Sequence, residues 1–434
     1  MGSIEAPQKF KIIVIGAGIA GLTAALGLHQ KGHTVTVLER HADTQALGGP
    51  INLSPSATHI MTEYGLEELI HERLGLRERP VSLRRFEDGS QLGTTPVGTS
   101  KKLYGSGVWT ASRFGWQKIF KQVAEERGIK IEFSTPVQTM DVDTATVVLR
   151  DGRKLEADLV IAADGAGSVV RPIILGQPLD RRDPVGAINI DVPLDILQDD
   201  PELEMLADEA QNFWIGPGGC CAAGPVLDTG VFNMCWISED KFGRPGEWFI
   251  KGDLAGVAER YKDWDPRLVK LVKAAKPENC YIWNITDLPP LPTWSKGRAV
   301  LIGDASHATL PYLGMGATSS VEDGRSLAEC LDRAKSVGEI PLILKAFESL
   351  RKARAESVIN MSRVAMGLWH LPDGEQQVQR DAMYAAVFVP KLWDGKPVDD
   401  PPTGFADPSF RPYFSGHKTV EFTNRKLDEM GIER

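Results

Sequence analysis

Residues 11–40 read KIIVIGAGIAGLTAALGLHQKGHTVTVLER, and this stretch decides the fold. Lys11 to Ile15 is a short apolar run of the kind that forms a buried parallel strand. Gly16, Gly18 and Gly21 then spell G-x-G-x-x-G ahead of an alanine- and leucine-rich helix reaching about Lys31. Val35, Val37 and Leu38 give a second strand that ends on Glu39. Each glycine has its own task. Gly16 permits a tight turn, Gly18 lets a pyrophosphate approach the backbone, and Gly21 lets the helix pack close to the sheet. The helix N-terminus offers its unpaired N–H groups to phosphate, and Glu39 is placed to accept hydrogen bonds from both hydroxyls of an adenosine ribose. The glycine motif alone would decide little. Strand, turn, helix, second strand and terminal acid together predict a dinucleotide-binding unit.

The rest of the chain fits a large protein that is soluble by composition. Its 434 residues can bury an extensive core and hold two or three structural units. Composition is 42% apolar and 25% charged, and the net charge of −9 with no long basic run argues against a nucleic-acid partner. No apolar run reaches the length of a membrane span, so no stable membrane insertion is expected. The N-terminal MGSIEAPQKF has no apolar signal core. Five cysteines without a C-x-x-C leave one unpaired, which fits free thiols in a reducing compartment and a cytoplasmic location. No metal site is expected.

Taken in order, Gly48-Gly49-Pro50 marks a loop, Ile51 to Leu53 a strand, and Ser54 the cap of a helix through Tyr64. Residues 81–99 read as β excursions away from the nucleotide unit. Residues 113–127 are helical, with Trp116, Ile119, Phe120 and Val123 on one face. A hairpin around Asp151-Gly152 leads to an apolar strand that delivers ADGAGSVVR, residues 163–171. Residues 179–280 read as an inserted, mostly β domain closing a pocket, with strands over 185–193 and 211–238 and a helix over 253–276. The chain returns at GRAVLIGDASHATLPYLGMGATSSVEDG, with a strand over Ala299 to Ile302 and a helix from about Thr318. A helical tail runs from about Glu339 to Met366 and becomes irregular around 389–412. The expected division is 1–80, 113–178 and 281–350 for the nucleotide-binding unit, 81–112 for the excursion, 179–280 for the sheet domain and 351–434 for the tail.

Three motifs in this order, GAGIAG with Glu39, then ADGAGSVVR, then GDASHATLPYLGMGATSSVEDG, resemble the single-component FAD-dependent aromatic hydroxylases. The likeness spans roughly residues 10–350 and is nearest the salicylate-hydroxylase-like branch and the fungal secondary-metabolite monooxygenases. It implies an α/β fold: a Rossmann-like, glutathione-reductase-like FAD-binding domain, an inserted mostly β substrate domain and a C-terminal helical tail. It implies FAD as cofactor, held by Gly16, Gly18, Ala20, Gly21, Glu39, Arg40, Arg113, Asp164, Gly303, Asp304, Gly314, Gly316 and Ala317. Arg113 would contact the flavin side. Asp164 would serve both the FAD pyrophosphate and NAD(P)H, and Asp304 the ribityl chain. Backbone N–H groups of Gly316 and Ala317 would stabilise negative charge on reduced flavin, with Pro311 near the oxygen site. His307 is structural in this family.

The chain also departs from the pattern. Met315 stands in Gly314-Met315-Gly316 where many relatives have glutamine, and GAINIDVP at 186–193 carries Asn189 and Asp191 where many have an arginine. Asp287-Leu288-Pro289-Pro290 likewise lacks one. These losses point from a simple anion such as salicylate towards a larger, neutral, ring-rich substrate, with Asp191 as a candidate acid–base residue. The implied reaction is a monooxygenation: NAD(P)H reduces the flavin and leaves, O2 forms a C4a-hydroperoxide, and one oxygen passes to a small phenol- or indole-type aromatic. The alternatives are a flavin dehydrogenase or reductase without oxygen insertion, and a regulatory flavin-binding protein. The sequence leaves open the choice between NADH and NADPH and the oligomeric state.

Overall fold

A computed structural model describes residues 8–44, 48–76, 79–179, 185–208, 211–240, 249–388 and 391–433. Lys11–Ile15 lies inside a six-stranded sheet ordered Ser295–Lys296, Ala299–Leu301, Leu159–Ala162, Lys11–Ile15, Thr34–Leu38, Lys130–Glu132. All pairings are parallel except that of the short edge strand Ser295–Lys296. Layers cover both faces, which is why these strands are continuous apolar runs: Ile12, Val14, Val37 and Leu159 to Ile161 are fully or almost fully buried. Each such side chain contributes roughly 1.5–3 kcal/mol of burial. The helix Ile19–Gln30 packs against the helix Gly316–Leu331, and Gly324 permits the close crossing: a Cβ there would lie 2.7 Å from the Cα of Ala24. A three-stranded antiparallel sheet over Val137–Asp141, Thr146–Leu149 and Lys154–Glu156 carries the Asp151-Gly152 turn.

The second large element is an eight-stranded sheet, ordered Phe249–Lys251, Cys280–Ile285, Val185–Pro193, Val231–Ser238, Gly219–Val226, Gln211–Gly216, Val81–Arg85, Gln91–Thr95. The excursion after the first helices therefore joins the sheet formed by the later insertion, through parallel pairing of Val81–Arg85 with Gln211–Gly216. Strand alternation sorts its residues onto two faces. Ile188, Ile190, Val192, Trp214 and Trp236 pack under helices Leu254–Arg260 and Pro266–Ala274. The opposite face presents Val185, Ala187, Ile215 and Ile237, which share a core with Leu310, Tyr312 and Met315. This contact packs the glycine-rich segment that follows the first sheet onto the second sheet.

The single helix expected over 253–276 is two helices. Asp265 precedes Pro266, and a residue before proline is driven out of the helical region. The Asp265 carboxylate then caps the new helix by accepting from the Arg267 amide at 3.0 Å, and from Trp214 Nε1 at 2.9 Å. The tail is less separate than its sequence suggests. The helix Ile340–Trp369 sends Arg351 and Arg354 into Glu322 and Asp323, and Arg354 also donates to the carbonyl of Tyr413 at 2.6 Å. The last helix, Thr419–Glu429, lies on Gly316–Leu331, with Thr423 and Ser326 hydroxyls 3.0 Å apart.

Candidate active site

The glycine turn is built as its sequence demands. Gly16 has φ +107, and a Cβ on it would collide with the carbonyl of Ala163, so the turn nestles against the end of the third strand. At Gly18 the space beside the backbone is open, with nothing within 4 Å of an added Cβ. Glu39 is buried and braced by backbone: its carboxylate accepts from the amides of Ala17 and His41, both at 2.9 Å. A cleft brings Gly16, Gly18, Glu39, Arg40 and Asp164 together, and a neighbouring one shares Gly18 and Arg40 and adds Arg113 and Trp283. Ala20 instead sits beneath Gly303, whose added Cβ would lie 2.8 Å from it. Gly21 is buried in the first helix, against the Gly16 carbonyl.

Arg113 opens the helix Arg113–Glu126 behind the cap Ser112, whose hydroxyl accepts from the Gly115 amide at 2.8 Å. It is exposed, and among the described residues no carboxylate pairs with it. A Cβ on Gly48 would lie 2.7 Å from its Nε. One turn on, Gln117 donates to the Ala17 carbonyl at 2.8 Å and lines both clefts. Sequence reasoning missed Gln117, although its i,i+4 spacing from Arg113, away from the apolar face of Trp116 and Phe120, carried the signal. Asp164 accepts from the Val169 amide at 2.8 Å, and its other oxygen is buried without a partner among the described residues. Burial raises its carboxyl above the usual range.

Gly303 has φ +59 and donates its amide to Asp323 at 2.9 Å. Asp323 also bonds His307 Nε2 at 2.6 Å and Arg351 Nε at 2.9 Å. Burial alone would raise the Asp323 carboxyl, but His307 and Arg351 beside it hold it below its ordinary value. His307 is thus committed to the support of the turn, and Asp304 beside it is exposed. Pro311–Leu313 forms a single 3-10 turn, Gly314 has φ +61, and the helix begins at Gly316, ahead of the expected Thr318. Gly316 and Ala317 therefore occupy the first turn, where amides have no preceding carbonyl to bond. They form the positive end of a 16-residue helix.

On the large sheet, Asp191 Oδ1 accepts from Asn233 Nδ2 at 2.7 Å, and its Oδ2 lies 3.4 Å from the Tyr281 hydroxyl. Burial raises the Asp191 carboxyl against the pull of these two donors, and Cys235 is pushed up to about 12 by burial and by Asp191 nearby. The partners of Asp191, and Trp283 beside the second cleft, were not legible in the sequence, because alternation shows which side chains share a face but not what that face meets.

A dinucleotide is what these groups fit: an open backbone at Gly18, the Arg113 guanidinium with no carboxylate partner and a buried Asp164 oxygen with none among the described residues, and a braced acid. A family profile described as FAD binding domain matches residues 9–362, and the chain belongs to that family. It is 32% identical over 380 residues to the FAD-dependent monooxygenase ntnJ of Nectria sp, covering 86% of this chain and 88% of the relative. It is 29% identical over 391 residues to a 3-amino-4-hydroxybenzoate 2-monooxygenase of Streptomyces cremeus, covering 88% and 93%. A salicylate hydroxylase substrate complex has the same fold, with a TM-score of 0.77 at 21% identity over 96% of this chain and 98% of that one. The protein is an FAD-dependent monooxygenase of the aromatic-hydroxylase type, as its motifs imply.

Proposed function

We propose that this enzyme uses NAD(P)H and O2 to hydroxylate or epoxidise an electron-rich aromatic small molecule of phenol or indole type. The observation that carries the reading is the packing of Leu310, Tyr312 and Met315 against Val185, Ala187 and Ile237. It sets the glycine-rich helix start against the large sheet, so a cofactor at the one and a substrate on the other would be neighbours. The name of the Streptomyces relative supports an aromatic substrate.

FAD supplies the redox and oxygen-activating chemistry; the chain positions, shields and balances charge. In this proposal Gly16, Gly18, Ala20 and Gly21 with their helix receive the pyrophosphate, and Glu39 takes ribose hydroxyls on lone pairs its two amide bonds leave. Arg40 and Arg113 offer guanidinium groups to phosphate and flavin. Asp164 serves the pyrophosphate and the approach of NAD(P)H, a transient co-substrate. Gly303 shapes the turn that presents Asp304 to the ribityl hydroxyls. Gly314 bends the loop so that the Gly316 and Ala317 amides meet negative charge on the reduced ring, and Pro311 borders the place where oxygen reacts. Asp191 acts as acid–base residue from the sheet, its raised carboxyl holding a proton further towards neutral pH than an exposed acid would.

Residues 1–80, 113–178 and 281–350 would thus serve the cofactor, and 81–112 with 179–280 the substrate. The five cysteines are free thiols, which supports a cytoplasmic setting. Among the described residues no helix is long and apolar enough to cross a membrane. The test is rapid-mixing absorbance: holoenzyme reduced by NADPH or NADH is mixed with oxygen and candidate phenols and indoles. An absorbance transient unlike reduced or oxidised flavin, decaying as product appears, is expected. Direct reoxidation without product for every candidate would favour a flavin dehydrogenase or reductase.

A further inference from the structure

His370 ends the long helix Ile340–Trp369 and is buried, yet no step proposed above uses it. Its Nε2 lies 3.0 Å from the Tyr312 hydroxyl, and its Nδ1 lies 3.5 Å from a carboxylate oxygen of Glu239, whose side chain is 65% exposed. Three distant parts of the chain thus meet in one row: the Pro311–Leu313 turn, the end of the long helix, and the residue after strand Val231–Ser238. The row starts in the apolar cluster of Leu310, Tyr312 and Met315 and ends in solvent. Among the described residues, the Tyr312 hydroxyl makes the only side-chain hydrogen bond between Pro311 and Met315. Both members are firmly seated: the Tyr312 ring meets Trp369 edge-on at 5.8 Å, and the Gly218 amide donates to the His370 carbonyl at 3.1 Å.

A carboxylate can only accept, so the nitrogen facing Glu239 carries the imidazole proton and Nε2 keeps its lone pair for the Tyr312 hydroxyl. Protonation of His370 reverses this. Nε2 becomes a donor, and the Tyr312 proton loses its acceptor in an apolar cluster, where an unpaired hydroxyl is costly. We infer that His370 is a positioning residue: acting through Tyr312, with its tautomer set by Glu239, it holds the Pro311–Leu313 turn in the form that meets the flavin and releases it on gaining a proton. The inference rests on the placement of this turn beside the flavin proposed above and adds what fixes it there. Burial lowers the His370 pKa, with Glu239 opposing, so release belongs below the ordinary histidine value of 6.5. Of the other groups around the row, the thiols of Cys220 and Cys235 stay protonated through burial. Arg380, which donates to the Leu368 carbonyl at 2.9 Å, is paired with Asp381, and Arg85 with Asp373.

Visible circular dichroism of the oxidised FAD holoenzyme, titrated from about pH 8 to about pH 5, tests it, since oxidised flavin does not itself titrate there. The wild-type spectrum should change in one step with its midpoint below pH 6.5. Glu239→Gln, at the exposed end of the row, should lower that midpoint by at least about 0.5 pH unit, because no carboxylate then favours the imidazolium. Tyr312→Phe keeps the ring, removes the hydroxyl and should erase the step. His370→Gln keeps an acceptor but cannot titrate, so the alkaline spectrum should persist across the range. Nitrogen NMR of histidine-labelled holoenzyme, with His370→Gln assigning the signal, should place the proton on Nδ1 at the alkaline end and give the same midpoint. A proton on Nε2, a midpoint that Glu239→Gln leaves in place, or a His370 titration that the flavin spectrum does not follow would overturn the proposal. Neither readout needs oxygen or an aromatic, so loss of the oxygenation reading would leave these results standing, and their failure would leave that reading untouched.

Discussion

The glycine turn of the six-stranded sheet and the Asp191-bearing face of the eight-stranded sheet are built by different means. At the turn, the groups lining the cleft are backbone and side chains of short local stretches: Gly16 and Gly18, Glu39 and Arg40, Gln117, and Asp164. On the large sheet the polar groups are alternate side chains from strands far apart in sequence: Asn189, Asn233 and Tyr281 meet only through register. The turn is therefore written locally, whereas the polar spot on the large sheet is written in tertiary structure. The two halves should respond differently when disturbed.

The largest effect tests whether the turn is truly local. Arg351, fully buried on the long C-terminal helix, holds Asp323, which in turn holds Gly303 and His307. Arg351→Ala leaves Asp323 and Glu322 buried without it and should cost about 3–5 kcal/mol in thermal or denaturant unfolding. Weaker FAD retention in the same variant would show that the cofactor edge depends on the tail. Gly16→Val meets positive φ and the Ala163 carbonyl together; strain alone costs roughly 1–3 kcal/mol. The purified protein should be colourless, and a fully yellow variant would break the comparison. Asp304→Ala should weaken FAD binding about 10-fold to 100-fold in a flavin titration while leaving apoprotein unfolding unchanged, since the exposed Asp304 side chain has no hydrogen-bond or ion-pair partner among the described residues.

The smallest effect is a pH slope on the nucleotide side. Burial, then Lys9 nearby, lowers the pKa of His33 to about 4, and the Phe10 amide donates to its Nδ1 at 3.2 Å. Above pH 6.5 the imidazole is neutral in both states. Below it the unfolded chain takes up a proton that the folded chain refuses until about pH 4, so stability falls across that window. Between pH 7 and 5.5 the loss should be about 1 kcal/mol. His33→Gln should flatten the slope; an unchanged slope would acquit His33.

What the sequence disclosed follows the same division. The βαβ unit, its Glu39 and the Gly303-Asp304 turn were legible because spacing along a few residues dictates them. Gln117 escaped because helix periodicity draws attention to the apolar face and it lies on the other. The break before Pro266 was written in the Asp265-Pro266 pair and was passed over for the longer helical pattern. The helix begins at Gly316, two residues before the expected Thr318; that start was not legible because glycine at a helix N-terminus reads as loop. The tail's ties to Glu322 and Asp323 had no local signal, since a buried arginine and its acid partner recognise each other only across the fold.

The central claim is that this chain joins an FAD cradle to a sheet that presents an aromatic molecule for oxygenation. Turnover under 18O-labelled dioxygen with NAD(P)H and an indole or phenol, read by mass spectrometry of the product, tests it most directly. One labelled oxygen atom in the product per NAD(P)H consumed is the predicted result. Substrate oxidised or reduced with no label incorporated would contradict it.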